Sequence, residues 1–231
     1  MIAQSNAKIF LAQERGHTEC EWFRSYQTFC FGNYQNRHKG PFGPLYVCND
    51  DTLAGGRKLT LHVEEDSTLV FVPCVGALTY SDSHGHTTFA EAGETLKCAV
   101  PAGTVIEVQN PYESELINFL HFWIKGFPQD AVPGPEVHAF DIQNNRNRLQ
   151  ELFAPDGRVK GFIGKFAGRE EWLYPVSEKG RGVFAFVLEG AFEVQCRLLE
   201  ACDSLALQDV REVDMEALSN DAIVLLLEVG F

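Results

Sequence analysis

The sequence predicts an all-β protein built from two β-barrels in tandem, and three observations support this prediction. Short apolar runs recur along the whole chain between turn residues. A stretch rich in proline and glycine, residues 126–135 (GFPQDAVPGP), interrupts these runs and is typical of a linker. The two halves also share a weak repeat, in which FVPCVGAL (71–78) corresponds to FVLEGAF (186–192).

The first half contains a series of short strand-like runs. Each run is rich in β-branched and aromatic residues and is bounded by Gly, Pro, Asp or Asn. Regular short strands with such punctuation are typical of a β-sandwich or β-barrel. The predicted strands of this half are 67–74, 77–81, 86–91, 95–100, 104–110 and 116–124.

The second half predicts one helix followed by further strands. Leu149, Leu152 and Phe153 have the i, i+3, i+4 spacing of a helix, and Asn144 or Asn145 can cap its start, so we expect a helix near 145–153. We therefore predict two domains, residues 1–135 and 136–231, with one short helix near the start of the second. The strands predicted in the second half are 159–166, 171–174, 182–188, 191–196, 204–207, 212–215 and 222–229.

Composition excludes several classes of partner. The 231 residues include 19 Lys and Arg against 32 Asp and Glu, a net charge of −13, which argues against nucleic acid and anionic membranes. No apolar run approaches the roughly 18 residues of a membrane-spanning helix, and the start lacks the pattern of a signal peptide. Seven cysteines without a CxxC pair predict reduced thiols and a cytoplasmic protein. The composition leaves a small-molecule ligand or a protein partner as the expected binding partner. It does not predict the oligomeric state.

One pair of residues has the spacing of metal ligands. His62 and Glu64 are two residues apart on a predicted strand, so their side chains point to the same face. Two inward ligands at this spacing suit a transition metal inside a barrel. The alternative is a hydrogen-bonded histidine and a solvated glutamate, because Glu64 begins an acidic run.

Other histidines have simpler interpretations. Residues 84–86 (HGH) are typical of a hairpin tip. His121 alternates with Phe119 and Trp123 on one face of a strand, which favours a core or pocket residue over a metal ligand. No histidine follows His138, so the second half offers no nitrogen-ligated metal site.

Several motifs resemble the pirin family. The opening of that family is similar to residues 14–17 (ERGH), 28–34 (TFCFGNY) and 42–51 (FGPLYVCNDD), and two further family motifs are similar to 82–85 (DSHG) and 120–124 (LHFWI). The second half is similar to the C-terminal cupin of quercetinase-like pirins. This resemblance implies tandem cupin barrels of the double-stranded β-helix, or jelly-roll, type with a metal in the first one. It also implies quercetin 2,3-dioxygenase chemistry in some members, and an exchange of the segment 22–34 between the barrels.

The resemblance places the metal ligands of the family on four positions of this chain. The motif G-x5-H-x-H falls on Gly56, His62 and Glu64, and the second cupin motif puts Ile106 and Val108 where a histidine and a glutamate belong. Non-haem iron needs about three protein ligands and open positions. We therefore expect a barrel that has lost its metal.

The function expected from the sequence is a metal-free, non-catalytic pirin-like bicupin that binds a small ligand or a protein partner. The alternative is a quercetin 2,3-dioxygenase-like oxidoreductase with Fe or Ni held by a rearranged site of His62 and Glu64, joined by His121 if the three converge. The expected pocket residues are His62, Glu64, Ile106, Val108, His121 and Trp123.

Overall fold

The computed structural model describes residues 6–129, 134–153 and 157–231, and these residues are almost entirely strands and turns. Within these ranges the helical content is a single 3-10 turn, Ala12–Glu14, and no helix has the length and hydropathy to cross a membrane. The chain divides into two compact units. One is Arg15–Phe140, and the other is Asp141–Phe231 together with the chain up to Glu14.

The strands are named in chain order. They are β1 (Asn6–Phe10), β2 (Gly16–Glu19), β3 (Phe23–Gln27), β4 (Leu45–Leu53), β5 (Lys58–His62), β6 (Ser67–Val75), β7 (Ala77–Asp82), β8 (Thr87–Glu91), β9 (Glu94–Val100), β10 (Val105–Gln109), β11 (Ile117–Lys125), β12 (Gly134–Ala139), β13 (Gln150–Glu151), β14 (Val159–Phe166), β15 (Glu171–Pro175), β16 (Arg181–Glu189), β17 (Ala191–Val194), β18 (Arg197–Glu200), β19 (Ser204–Gln208), β20 (Glu212–Ala217) and β21 (Ala222–Gly230).

The unit Arg15–Phe140, here called the first barrel, contains two antiparallel sheets. Their strand orders are β12-β9-β6-β11-β4-β3-β2 and β5-β10-β7-β8. Alternate residues of the strands point inward, and Leu69 and Phe119 of the larger sheet share one core with Ile106 and Val108 of the smaller sheet.

The other unit, here called the second barrel, repeats this plan. Its sheets have the orders β1-β19-β16-β21-β14-β13 and β15-β20-β17-β18. Val183 and Leu226 of one sheet share a core with Phe192 and Met215 of the other. The prediction of an all-β protein with two barrels in tandem is therefore confirmed.

The helix predicted near 145–153 is wrong. Residues of this segment form turns and the two-residue strand β13. The Asp141 carboxylate accepts hydrogen bonds from the backbone N–H groups of Gln143 and Asn144, and the Asn145 side chain donates to the Asp141 carbonyl. Short polar side chains satisfy the backbone locally and so compete with helix formation. The apolar spacing instead reflects the burial of Leu152 and Phe153.

The pairing of the segment 22–34 also differs from the expected exchange between the barrels. Strand β3, which lies inside the segment 22–34, pairs with β4 of its own barrel. The N-terminal strand β1 instead pairs with β19, with Asn6 opposite Gln208 and Phe10 opposite Ser204. Strand β12 pairs with β9, which places residues 134–139 in the first barrel. The domain boundary after residue 135 stays a prediction.

The cysteines carry free thiols, as the sequence predicts. Cys48 and Cys98 are fully buried, and this burial raises the pKa of each thiol to about 12. A thiol with so high a pKa is neutral and unreactive near pH 7.

Candidate functional site

His62 does not face the position that the second cupin motif assigns to a ligand. In the pairing of β5 with β10, Leu61 lies opposite Ile106, and His62 lies opposite Val105. Since neighbouring side chains of a strand point to opposite faces, His62 and Ile106 lie on opposite faces of the sheet. His62 is exposed, whereas Ile106 is completely buried. The interpretation of His62 as an inward ligand is therefore wrong.

Glu64 has the same orientation as His62. It is exposed, and the residue between them, Val63, is buried in the core. The Val63 N–H donates to the carbonyl of Thr104, and the Val63 carbonyl accepts from Gly103, which fixes this register. The sequence pattern could not reveal which face of the strand is buried, because a shift of one residue exchanges the two faces.

The interior of the first barrel therefore presents hydrocarbon at Ile106 and Val108, the two positions where the resemblance implies metal ligands. Ile106 and Val108 are both 0% exposed and belong to its core. His62, Glu64 and His121 are not brought together, and the parts of the chain that the structure describes contain no group of three His, Cys, Asp or Glu residues able to hold a metal. These residues do not fit a nickel or iron ion.

A different polar group lies inside the same barrel. His121, in the middle of β11, lies opposite Asn49 on β4 and Phe71 on β6. Its Nε2 atom is 3.1 Å from Oδ2 of Asp51, and their side chains are 0% and 2% exposed. In the tautomer that donates from Nε2 to this carboxylate, Nδ1 of His121 keeps an acceptor lone pair.

Aromatic rings surround the His121–Asp51 pair. The Phe71 ring stacks on the His121 ring at 5.7 Å with an interplanar angle of 14°, and the rings of Phe119 and Trp123 lie 6.1 and 6.0 Å away. Phe31 contacts both His121 and Trp123 edge-on, and it is the one of these aromatic residues that is partly exposed. In such apolar surroundings a hydrogen bond is stronger than in water.

Several buried polar atoms around this pair have no partner among the described residues. They are Gln27 Oε1, Asn49 Oδ1 and Nδ2, Asp51 Oδ1, His121 Nδ1 and Trp123 Nε1. Gln27, on β3, lies opposite Asn49, on β4, and Asn49 lies opposite His121, on β11. The three side chains therefore share the interior face of three neighbouring strands. A buried polar atom without a partner costs about 1–3 kcal/mol, and such a concentration is unusual in a structural core.

The sequence identified part of this cluster. It singled out His121 and Trp123 as pocket residues but missed Gln27, Asn49 and Asp51. The signal for two of them is the alternation in β4, where Asn49 and Asp51 occupy the inward positions between Val47 and Leu53 of the core. Polar residues at inward positions of a buried strand indicate a network or a site.

The histidines at the hairpin tip are held by a buried carboxylate. Asp82 accepts hydrogen bonds from the backbone N–H groups of His84 and His86, and Nδ1 of His86 lies 2.9 Å from it. Burial alone would raise the pKa of Asp82, but these bonds together with one from Tyr80 lower it. The residues 84–86 are therefore the turn that the sequence predicts.

The second barrel contains a buried carboxylate whose partners are all supplied by the chain. Glu228, on the inward face of β21, accepts a 2.6 Å hydrogen bond from the hydroxyl of Tyr174 and others from the hydroxyl and N–H of Ser177. Nε of the buried Arg181 lies 3.2 Å from Oε1 of Glu228. Burial, followed by the bond to Glu228, raises the pKa of Tyr174. This satisfied network stabilises the barrel.

The chain resembles known proteins over nearly its whole length. Residues 158–229 match the family described as the quercetinase C-terminal cupin domain. Quercetin 2,3-dioxygenase of Escherichia coli K12 is 25% identical over 225 residues, which cover 94% of this chain and 96% of that protein.

Two crystal structures show the same fold. That of YhhW from Escherichia coli is 24% identical, with a TM-score of 0.85, and the match covers 96% of this chain and 97% of YhhW. A second structure, of the bacterial pirin YhhW in complex with nickel(II), is 23% identical, has a TM-score of 0.83 and covers 97% and 99% of the two chains. These structures show that the chain has the fold of two cupin barrels in tandem, and the sequence matches show that it is similar to pirin-like and quercetinase-like proteins.

Proposed function

We propose that this pirin-like protein binds a small polar ligand inside its first barrel and that it does so without a metal ion. The cluster of unpartnered, buried polar atoms around His121 and Asp51 is the observation that supports the proposal. Ligand sites in proteins combine mostly apolar walls with a few convergent polar groups, and this interior has both.

The ligand positions of the family support the metal-free part of the proposal. Ile106 and Val108 pack into the core, and His62 and Glu64 point away from it. A hydrocarbon wall cannot coordinate a cation, and burial of these two side chains contributes about 1.5–3 kcal/mol each to folding.

Access to the cluster requires a movement of Phe31. Its partly exposed ring covers His121 and Trp123, and it belongs to a tight turn closed by a bridge between Phe31 and Tyr34. Gly32 in this turn has a φ of 54°, a conformation that glycine adopts without strain. A displacement of this short surface turn would admit a ligand without disturbing the sheets.

The alternative function is the oxidation of a flavonol by a metal-dependent dioxygenase. The names of the relatives, among them quercetin 2,3-dioxygenase of Escherichia coli and the nickel complex of YhhW, favour it. The orientation of His62 and Glu64 speaks against it. A cytoplasmic location and a protein partner in place of a small molecule stay predictions.

Metal content separates the two functions. We expect protein purified without chelator to hold far less than one Fe, Ni, Mn or Co per chain, and no oxygen uptake with quercetin after these ions are added. His62→Ala should change neither result, because His62 lies on the outer face. Near-stoichiometric metal that is lost in His62→Ala would contradict the proposal.

The substitution Asn49→Leu tests the ligand site itself. It removes two unpartnered polar atoms and keeps the branched shape of the side chain, so we expect the free energy of unfolding in urea to stay constant or rise by about 1 kcal/mol. Saturation-transfer NMR with a panel of small neutral alcohols, amides and ketones should detect binding to the unmodified protein and none to Asn49→Leu. Gln109→Leu, at an exposed position of β10, is the control.

A clear loss of stability in Asn49→Leu would mean that Asn49 has a structural role. Unchanged binding of the panel would place the site elsewhere. Either result contradicts the proposal.

A further inference from the structure

We propose that the His121–Asp51 pair is a proton-transfer site. Its substrate class is a small neutral carbonyl compound with a hydrogen on the carbon next to the carbonyl group. This inference rests on the proposed function, because the compound must enter the first barrel, and it goes beyond binding to an activity that needs no metal.

His121 has the arrangement of a general base. Asp51 holds Nε2 of the imidazole at 3.1 Å and so fixes the tautomer in which Nδ1 carries the free lone pair. Nδ1 is sealed from solvent and has no partner among the described residues. A base oriented by a carboxylate, with its second nitrogen unoccupied, is ready to accept a proton from a bound molecule.

Two hydrogen-bond donors lie in the same interior. Nδ2 of Asn49 and Nε1 of Trp123 have no acceptor among the residues that the structure describes. Asn49 lies directly opposite His121 across the strand pair, and the Trp123 and His121 rings are 6.0 Å apart. Unpaired N–H groups fixed in an apolar site stabilise an oxygen that gains negative charge, which is the charge that an enolate develops.

The base and the two donors together match the requirements of enolisation. That reaction needs a base near the α-carbon and donors near the carbonyl oxygen. The C–H bond breaks and its electron pair forms the carbon–carbon double bond of the enolate, while the carbonyl π pair moves to oxygen. The proton goes to Nδ1 of His121 and returns to the substrate, so no oxidant, reductant or metal is consumed.

The charge balance of the interior suits this transfer. Among the described contacts of His121, Asp51 is the titratable side chain, and the others are the aromatic rings of Phe31, Phe71, Phe119 and Trp123. When Nδ1 accepts the proton, the imidazolium is next to the Asp51 carboxylate, and a buried charge of this kind is tolerated when it is paired.

Exchange of α-hydrogens with solvent deuterium tests the inference. The probe is hydroxyacetone in D₂O, followed by proton NMR with the full chain. We expect the exchange to be about 100-fold faster than in buffer, in the range that a positioned general base provides. His121→Gln should abolish this acceleration, and His62→Gln, at the exposed histidine, should leave the exchange rate unchanged.

A second variant keeps the test valid if His121→Gln does not fold. Trp123→Phe retains an aromatic ring but loses the N–H donor, so the exchange should slow by at least tenfold, while saturation transfer to hydroxyacetone persists. Asp51→Asn should slow the exchange as well, since an amide does not hold the required tautomer.

The outcomes separate this inference from the proposed function. Saturation transfer to hydroxyacetone without accelerated exchange would overturn the inference and leave ligand binding intact. Exchange that is equally fast in His121→Gln and the unmodified protein would also overturn it. If hydroxyacetone shows no saturation transfer and no accelerated exchange, the inference is overturned. Ligand binding is then decided independently by the panel of compounds tested with Asn49→Leu.

Discussion

Replacing Glu228 by alanine is expected to destabilise the second barrel by about 3–5 kcal/mol, because the buried guanidinium of Arg181 loses its buried counter-charge and keeps only a 4.0 Å contact with the exposed Glu178 carboxylate. The Arg181 side chain is 5% exposed and that of Glu228 is 0% exposed, so water cannot replace the lost carboxylate. The hydroxyl of Tyr174 also loses its acceptor. Urea unfolding, followed by circular dichroism, measures the change.

The position of the effect can be checked in the same experiment. Native-state hydrogen exchange should show faster exchange of the amides of β14, β16 and β21, which meet at Glu228, before those of the first barrel. Glu189→Ala, at an exposed position of β16, is the matched control and should change stability by less than about 0.5 kcal/mol. A loss below about 1 kcal/mol for Glu228→Ala would show that the network does not stabilise this barrel.

Restoring the ligand residues of the family is expected to unfold the first barrel without creating a metal site. The double substitution Ile106→His and Val108→Glu puts an imidazole and a carboxylate into a fully buried hydrocarbon layer. Lost packing and the burial of unpaired polar groups should together cost about 4 kcal/mol or more. No gain in stability should follow when Ni(II) is added, because His62 and Glu64 lie on the opposite face.

Thermal unfolding with and without Ni(II) measures this result. Gln109→Glu, at an exposed position of the same strand, is the control and should leave the unfolding temperature nearly unchanged. A Ni(II)-dependent rise of that temperature in the double variant, with one bound ion per chain, would show that His62 and Glu64 reach the interior.

The fold was largely predictable from the sequence. Runs such as 67–74, rich in β-branched and aromatic residues and ended by Gly76, indicate strands by local chemistry alone. The helix near 145–153 was not predictable in this way, because its apolar spacing arises from the burial of Leu152 and Phe153 in an irregular segment. The local hydrogen bonds of Asp141 replace the helical ones.

The pairing of strand β1 with β19 also could not be predicted from the sequence. Asn6 and Gln208 are far apart in the chain, and no local pattern states which barrel a terminal strand joins. Contacts between residues so far apart depend on the assembled sheet and not on the propensity of either segment.

By itself the sequence determined that this protein consists of two β-barrels, because residue type and short spacing indicate the strands, and its resemblance to the pirin family implied that hydrocarbon replaces metal ligands at Ile106 and Val108. Only the tertiary structure decided which way His62 and Glu64 face, and that Asp51 meets His121 in the interior. The physical reason is register: a strand shifted by one residue keeps its sequence but exchanges its buried and exposed faces. The partners of a buried group are therefore fixed only when the strands are paired.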